Sequence, residues 1–336
     1  MEQGTGEGAA TVAPDRSRAR PVDTLPGVAH LAAPVGSDEE LLAAALPYLD
    51  EGLRADDLVV LSFPPETAAL VTGALGERAG TVEEDTRLCL LGTTVPDAVA
   101  AGRDLVRRAR GTGSGRLRVA GQIRFGATPR DWREGLRYEA AVNLLLAARP
   151  VSGLCLLDRR ELSAEVLAGV AATHPWVLTD GRVVPSGAFE DPAGYARRLP
   201  VPREPLEEET PALAVDDAPS LSELRRLLRA VIQARVPDPD QAADLHFAAS
   251  EIASNAFRHG ARPVSARVWG DGERLVCAIT DQGHGTDVPF PGFHPAHGVD
   301  LAKGGMGLWL TRKLWDHVDL APGPAGFTVR LSSRLR

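Results

Sequence analysis

The feature that most constrains this chain is the stretch Ser250-Glu251-Ile252-Ala253-Ser254-Asn255-Ala256-Phe257-Arg258-His259-Gly260. Written as a helix, it stacks Glu251, Asn255 and His259 four residues apart in one polar row. Leu245, Ala249, Ile252 and Ala256 then fall on a neighbouring apolar face able to pack on a sheet. A solvated face would explain any one of the polar residues taken alone. The downstream residues argue for more. A strand-like run, Leu275 to Thr280, leads into Asp281-Gln282-Gly283-His284-Gly285. After a loop, Lys303-Gly304-Gly305-Met306-Gly307 opens an apolar-periodic helix carrying Leu308, Leu310, Leu314, Trp315 and Val318. Glycine marks turns everywhere, so either cluster alone says little. Both, behind a helix with Glu-x-x-x-Asn, form a specific pattern.

At 336 residues the chain exceeds one ordinary core, so two domains are expected. No apolar run reaches membrane-spanning length, and the segment from Met1 to about Arg20 lacks a signal-peptide core. The expectation is a disordered start over 1–27 in a cytoplasmic protein without a membrane partner. Net charge is −8, and the basic residues are scattered among acidic ones. That argues against direct nucleic-acid binding, which needs a concentrated basic surface. Cys89, Cys155 and Cys277 sit in separate apolar runs without CxxC spacing. Buried free thiols are expected there, rather than disulfides or a metal site.

From 28 to 198 strands and helices alternate, which predicts a mostly parallel α/β domain. The strands are expected at Val28–Ala33, Leu58–Phe63, Arg87–Leu91, Leu117–Gly121 and Ser152–Leu157. The helices are expected at Leu41–Gly52, Glu66–Leu75, Val95–Arg110, Trp132–Ala148 and Leu162–Thr173. Gly111-Thr112-Gly113-Ser114-Gly115 lacks the Lys-Ser/Thr of a phosphate-binding P-loop and reads as a plain loop. Residues 199–219, rich in proline and carrying Glu207-Glu208-Glu209, read as an extended linker that does not pack. In 220–336, Ser220 and Glu223 form a capping box, Gly270-Asp271-Gly272 turns a hairpin, and Phe327–Ser332 is a last strand. The result is an α+β sandwich with helices on one face.

The Asn255 helix and the two glycine clusters resemble the N, G1 and G2 boxes of the GHKL ATPase superfamily, from about Asp217 to the C-terminus. The brevity of the module and the wording of its boxes resemble the anti-sigma-factor serine/threonine kinases in particular. The resemblance implies a Bergerat-type ATP-binding fold with ATP and Mg²⁺. Magnesium is a hard ion that takes a few oxygen ligands besides phosphate, and Asn255 is the implied metal ligand. Asp281 would accept a hydrogen bond from the adenine amino group, which guanine does not offer at that position. Gly283 and Gly285 would admit base and sugar, and Thr286 to Ala302 is long enough for a lid. Gly304, Gly305, Met306 and Gly307 would cradle phosphates with backbone amides. Lys303 would reach the γ-phosphate as a point charge, where related kinases often carry arginine. His259 joins the ATP-binding set as the end of the polar row. Thr328 is either a hydrogen-bonding partner near adenine or an ordinary strand residue. Glu251 has the place of the general base that deprotonates a protein hydroxyl.

In the front half, Ala29-His30-Leu31, Tyr48-Leu49-Asp50-Glu51-Gly52-Leu53 and Arg137-Tyr138-Glu139-Ala140-Ala141-Val142-Asn143-Leu144 resemble the MEDS sensory domain. That domain is P-loop-like without the P-loop and is thought to sense small molecules. His30 and Glu139 are the candidate ligand contacts; the plain alternative is a satisfied core histidine and a structural ion-pair partner.

The resemblances imply an anti-sigma regulatory factor. It would phosphorylate an anti-sigma antagonist of STAS type, bind a sigma factor, act as a homodimer and answer to its front domain. A histidine-kinase-like protein is the alternative, although only one helix fits between linker and Asn255 helix where a dimerising hairpin would be needed. A gyrase-like ATPase would require a transducer after the last strand. A module that binds ATP and sequesters a partner without transfer is the non-enzymatic alternative.

Overall fold

The computed structural model describes residues 29–145, 147, 149–286, 288, 290–295, 306–324 and 326–336. Lys303, Gly304, Gly305, most of the loop expected as a lid and the N-terminal 1–28 lie outside the described residues.

The front domain alternates β1 (Ala29–Val35), α1 (Asp38–Arg54), β2 (Leu58–Ser62), α2 (Pro65–Leu75), β3 (Glu83–Glu84), α3 (Val95–Ala109) and β4 (Leu117–Gly121). It continues through α4 (Pro129–Leu145), β5 (Val151–Asp158), α5 (Ala164–Thr173), a β6–β7 hairpin (Trp176–Thr179, Arg182–Pro185) and α6 (Pro192–Arg198). The strand order is β3-β2-β4-β5-β1-β6-β7, parallel throughout except that β7 runs antiparallel to β6. Apolar runs such as Leu58–Leu61 sit inside this sheet because helices cover both faces. Ser37 starts α1, its hydroxyl accepting from the Glu40 amide at 3.2 Å, with three acidic residues in the first turn.

One expected strand is absent. Arg87–Leu91 is a 3-10 turn, Thr86–Cys89, because the Asp85 carboxylate accepts from the Arg87 amide at 3.1 Å and caps it. The edge strand is the two-residue β3 just before.

The second domain has β8 (Leu213–Val215), α7 (Leu221–Arg235), α8 (Pro239–His259), β9 (Ser265–Gly270), β10 (Arg274–Asp281), α9 (Met306–Leu314), β11 (His317–Gly323) and β12 (Gly326–Arg334). Its sheet is antiparallel in the order β11-β12-β10-β9-β8. Leu275, Cys277, Ile279 and Leu331 face the three helices and share a core with Leu228, Ile232, Leu245, Ile252 and Trp315. Alternation sends Val276, Ala278 and Thr280 to the other face.

The proline-rich segment corrects the expectation of an unpacked linker. Leu206 packs on Trp269, Val276 and Ala278, and the Trp269 indole N–H donates to the Glu209 carbonyl at 3.0 Å. Leu213–Val215 then pairs with β9. The prolines do not prevent packing, because the segment covers an apolar outer sheet face that would otherwise be exposed.

The domains meet along α3 and α4 of the front domain and α9 and β11 of the second. Asp319 on β11 accepts from Arg137 at 2.6 Å and Arg133 at 3.3 Å on α4, and from Arg330 on β12 at 2.7 Å. Glu134 pairs with Arg312 of α9 at 3.3 Å, Lys313 with Asp97 of α3 at 2.9 Å, and His317 with Asp131 at 3.0 Å. Phe290 and Phe293, from the loop before α9, are buried in the front domain's cluster with Val95, Ile123, Phe125 and Leu136.

Candidate functional site

The polar row is formed by α8, with Leu245, Ala249, Ile252 and Ala256 buried beneath it. Glu251 and Asn255 are half-buried and His259, the last residue of α8, is exposed. Arg225 of α7 approaches Glu251 to 3.9 Å. What brings the row to the second glycine box is the close packing of α9 on α8. A Cβ on Gly307 would stand 3.2 Å from Glu251 Oε2 and 3.6 Å from Asn255 Nδ2. Glycine at the opening of α9 thus lets its backbone reach two of the three row residues. Met306 begins α9 beside it, where backbone amides lack helical partners.

Asp281 closes the other end. It continues the inward-facing series Leu275, Cys277 and Ile279, is buried, and its Oδ1 accepts from the Gly283 amide at 2.6 Å. Gly260, which ends α8, has no room for a side chain, since a Cβ there would lie 2.3 Å from Asp281 Cγ. α8 therefore carries Glu251 just past its middle and abuts Asp281 at its C-terminal end, about 13 Å further along the axis at the usual rise. Gly285, at φ +76°, lies against the Phe327 ring.

Thr328 does not join them. It pairs with Thr280 across β10–β12, hydroxyl to hydroxyl at 2.7 Å, on the face opposite Asp281. Phe327 takes the position across from Asp281. Gly260 was not singled out from sequence, although a glycine directly after a helix was a signal for it. A cavity of about 690 Å³ lies elsewhere, at the domain boundary between Phe125, Glu134, Arg312, His317 and Arg334.

In the front domain His30 and Glu139 are in contact at 3.0 Å, and two residues not anticipated join them. His174 Nε2 is 3.5 Å from the same Glu139 oxygen, and Cys155 Sγ is 3.5 Å from His30 Nε2. Burial pushes His174 down to about 3, the neighbouring His30 adding to the effect. Burial also raises the Cys155 thiol well above its ordinary value, with Glu139 adding to it. For Glu139 burial works upward, but the two imidazoles leave it below the ordinary carboxyl range. Cys155 is thus no isolated thiol, as the sequence spacing had implied.

Residues 29–175 match the sequence model of MEDS, the methanogen/methylotroph DcmR sensory domain. Residues 214–333 match that of the histidine kinase-like ATPase domain. No curated protein matches the chain significantly. The chain therefore joins a MEDS domain on its N-terminal side to a kinase-like ATPase domain, and the latter implies ATP binding. Among the described residues no helix is long and apolar enough to cross a membrane.

Proposed function

We propose that the second domain is an ATP-dependent serine/threonine protein kinase of the anti-sigma type, acting on an antagonist protein and governed by the MEDS domain. The observation that carries this reading is the approach of Gly307 to both Glu251 and Asn255. It joins a carboxylate, a side-chain amide and a helix N-terminus, groups that suit phosphoryl transfer to a hydroxyl.

Asn255 fits a magnesium ion, since its amide brings an oxygen without further negative charge beside a triphosphate. When bound, the ion would neutralise charge developing on the phosphates. Glu251 takes the proton of the attacking hydroxyl, and its half-buried position leaves it open to a protein substrate. Asp281 selects adenine through the exocyclic amino group. Met306 and Gly307 present amides to phosphate; Lys303, Gly304 and Gly305 extend that cradle in sequence. His259, exposed beyond Asn255, borders the nucleotide. Phe290 and Phe293, buried in the front domain, support a regulatory role for MEDS, because they tie the loop between the glycine boxes to it.

The test is labelled ATP with candidate antagonists of STAS type and a sigma factor. Phosphoserine or phosphothreonine on the antagonist is expected, with Glu251→Ala keeping nucleotide affinity and losing transfer by about 10²–10⁴-fold. Transfer at the wild-type rate in that variant refutes the role of Glu251. Phosphohistidine on this chain would make it a histidine kinase, and partner capture without transfer a sequestering module.

A further inference from the structure

Sheet register gathers side chains in the front domain that lie far apart in sequence. His30 on β1 stands opposite Gly153 on β5, so Cys155, two residues further, projects from the same face. α4 lays Glu139 and Asn143 over that face, and the end of α5 adds His174. The ligand atoms of His30, Glu139, Cys155 and His174 all lie within 4.8 Å of one another.

The hydrogen bonds around the cluster fix which imidazole nitrogens are bare. Asn143 donates through Nδ2 to the carbonyls of Glu139 and Thr173, at 3.1 and 2.7 Å, which fixes its amide orientation. Its Oδ1 then faces His30 Nδ1 at 3.2 Å and can only accept, so that nitrogen carries the proton. His174 Nδ1 likewise faces the Val170 carbonyl at 2.9 Å. Both Nε2 lone pairs are thereby turned toward Glu139 Oε2, an acceptor, at 3.0 and 3.5 Å. His174 Nε2 and Glu139 Oε1 are buried without a hydrogen-bond partner. A proton on His30 would satisfy one contact and the Cys155 thiol a long one at 4.0 Å to Glu139 Oε2, but His174 Nε2 would still face Glu139 lone pair to lone pair. A cation among them satisfies all of them.

The geometry points to a site for one divalent transition-metal ion of the zinc class, held by His30, Glu139, Cys155 and His174. Zinc lies about 2.0–2.2 Å from nitrogen or oxygen and about 2.3 Å from sulfur, giving tetrahedral edges of roughly 3.3 Å, or 3.6 Å to sulfur. The separations here are 3.0 and 3.5 Å from the imidazoles to Glu139, 3.5 Å from Cys155 to His30 and 4.0 Å from Cys155 to Glu139. A thiolate and a carboxylate balance the double charge, and binding releases the Cys155 proton to solvent. Two imidazoles and a thiolate favour zinc-like ions over magnesium or calcium. The site stands independently of the nucleotide reading of the second domain.

Full-length protein, stripped with chelator and desalted, is titrated with Co²⁺ and then Zn²⁺. One equivalent of cobalt is expected, with the visible bands of a four-coordinate ion and a near-ultraviolet thiolate charge-transfer band, and zinc should displace it. Cys155→Ser should remove the charge-transfer band, and Asn143→Ala, which frees His30, should weaken binding roughly 10–100-fold. Circular dichroism of each variant establishes that it is folded. No stoichiometric ion, a charge-transfer band that survives in folded Cys155→Ser, or unaltered affinity in folded His174→Ala overturns the assignment.

Discussion

Arg137 Nη2 stands 2.6 Å from Asp319 Oδ1, a buried ion pair between α4 of the MEDS domain and β11 of the ATPase-like domain. Arg133 and Arg330 converge on the same carboxylate, and Glu134 and Glu207 answer part of the remaining positive charge, at 3.0 Å from Arg137 and 2.8 Å from Arg330. Asp319 is therefore the carboxylate that these three guanidinium groups share, and the one ion-pair partner of Arg133 among the described residues. Replacing it strips buried Arg133 of its partner and leaves Arg137 and Arg330 with one carboxylate each, a larger loss than the net worth of the intact cluster. Asp319→Ala should cost about 3–5 kcal/mol, read as a split of one urea transition into two as the domains separate. A single unshifted transition would show that the cluster does not hold the domains together.

The same pair sets an acid limit. Burial works to raise the Asp319 carboxyl, but Arg137, Arg133 and Arg330 hold it well below the ordinary 3.8. Asp131 behaves alike: burial opposes, while His317 and Thr128 bring it down further. A folded-state value below the unfolded one gives stability that is complete above the unfolded value and drains away as pH falls toward the folded one. Domain docking should stay constant in this contribution above about pH 5 and weaken below about pH 4. Small-angle scattering across that range checks it, and Asp319→Asn should flatten the acid dependence.

At the nucleotide end, Asp281→Asn exchanges an anionic acceptor for an amide that turns either oxygen or nitrogen toward the base. The Gly283 amide loses a charged acceptor as well. Hydrogen bonds to charged groups contribute about 1.5–3 kcal/mol, so ATP affinity should fall by about 10–100-fold. Calorimetry with ATP and GTP measures this, with a reduced preference for ATP as the expected signature. An unaltered preference would mean that Asp281 does not read the base.

Gly307→Ala tests the other glycine box. The added methyl would come within 3.2 Å of Glu251 Oε2, tighter than ordinary contact, so the Glu251 side chain or the start of α9 must shift. Overpacking of this kind costs about 1–3 kcal/mol. Phosphoryl transfer should fall more than nucleotide affinity, because the displaced group is the base rather than the adenine contact. Equal losses in both would point to a general loosening of α9.

The row on α8 was legible because a helical period repeats over local sequence, and the close approaches at Gly285 and Gly307 because such packing admits few residue types. Elements decided by distant partners were not. Val318 reads as the continuation of the α9 apolar series, yet α9 ends at Leu314 and Val318 lies on a strand paired with Leu331. Asp319 reads as a solvated charge and becomes buried only through arginines roughly two hundred residues earlier on α4. His174 and Cys155 carried no motif, since β1, β5, α4 and α5 assemble their cluster through sheet register rather than spacing. Leu213–Val215 forms a strand because β9 offers a free edge, not because three residues after a proline-rich run favour one.

Phe293 gives the sharpest test of communication between the halves. It lies in the second domain's sequence but is 1% exposed within the MEDS core, beneath the Arg312 guanidinium at 4.8 Å from its ring. Arg312 also donates to the Pro291 carbonyl at 2.9 Å, so ring and loop backbone are fixed by one α9 side chain. Truncating a buried phenylalanine costs about 3–5 kcal/mol, and here the loss falls on docking, because neither domain's own chain is broken. Phe293→Ala should therefore alter ATP affinity several-fold while the ATPase-like domain keeps its unfolding midpoint, and Phe293→Leu should restore most of the wild-type affinity. If the loop between the glycine boxes is coupled to the MEDS domain through this ring, Phe293→Ala and Asp319→Ala combined will change affinity by less than the sum of their separate effects. Full additivity, or an ATP affinity untouched by Phe293→Ala, would mean that the buried ring anchors the loop without relaying anything to the nucleotide.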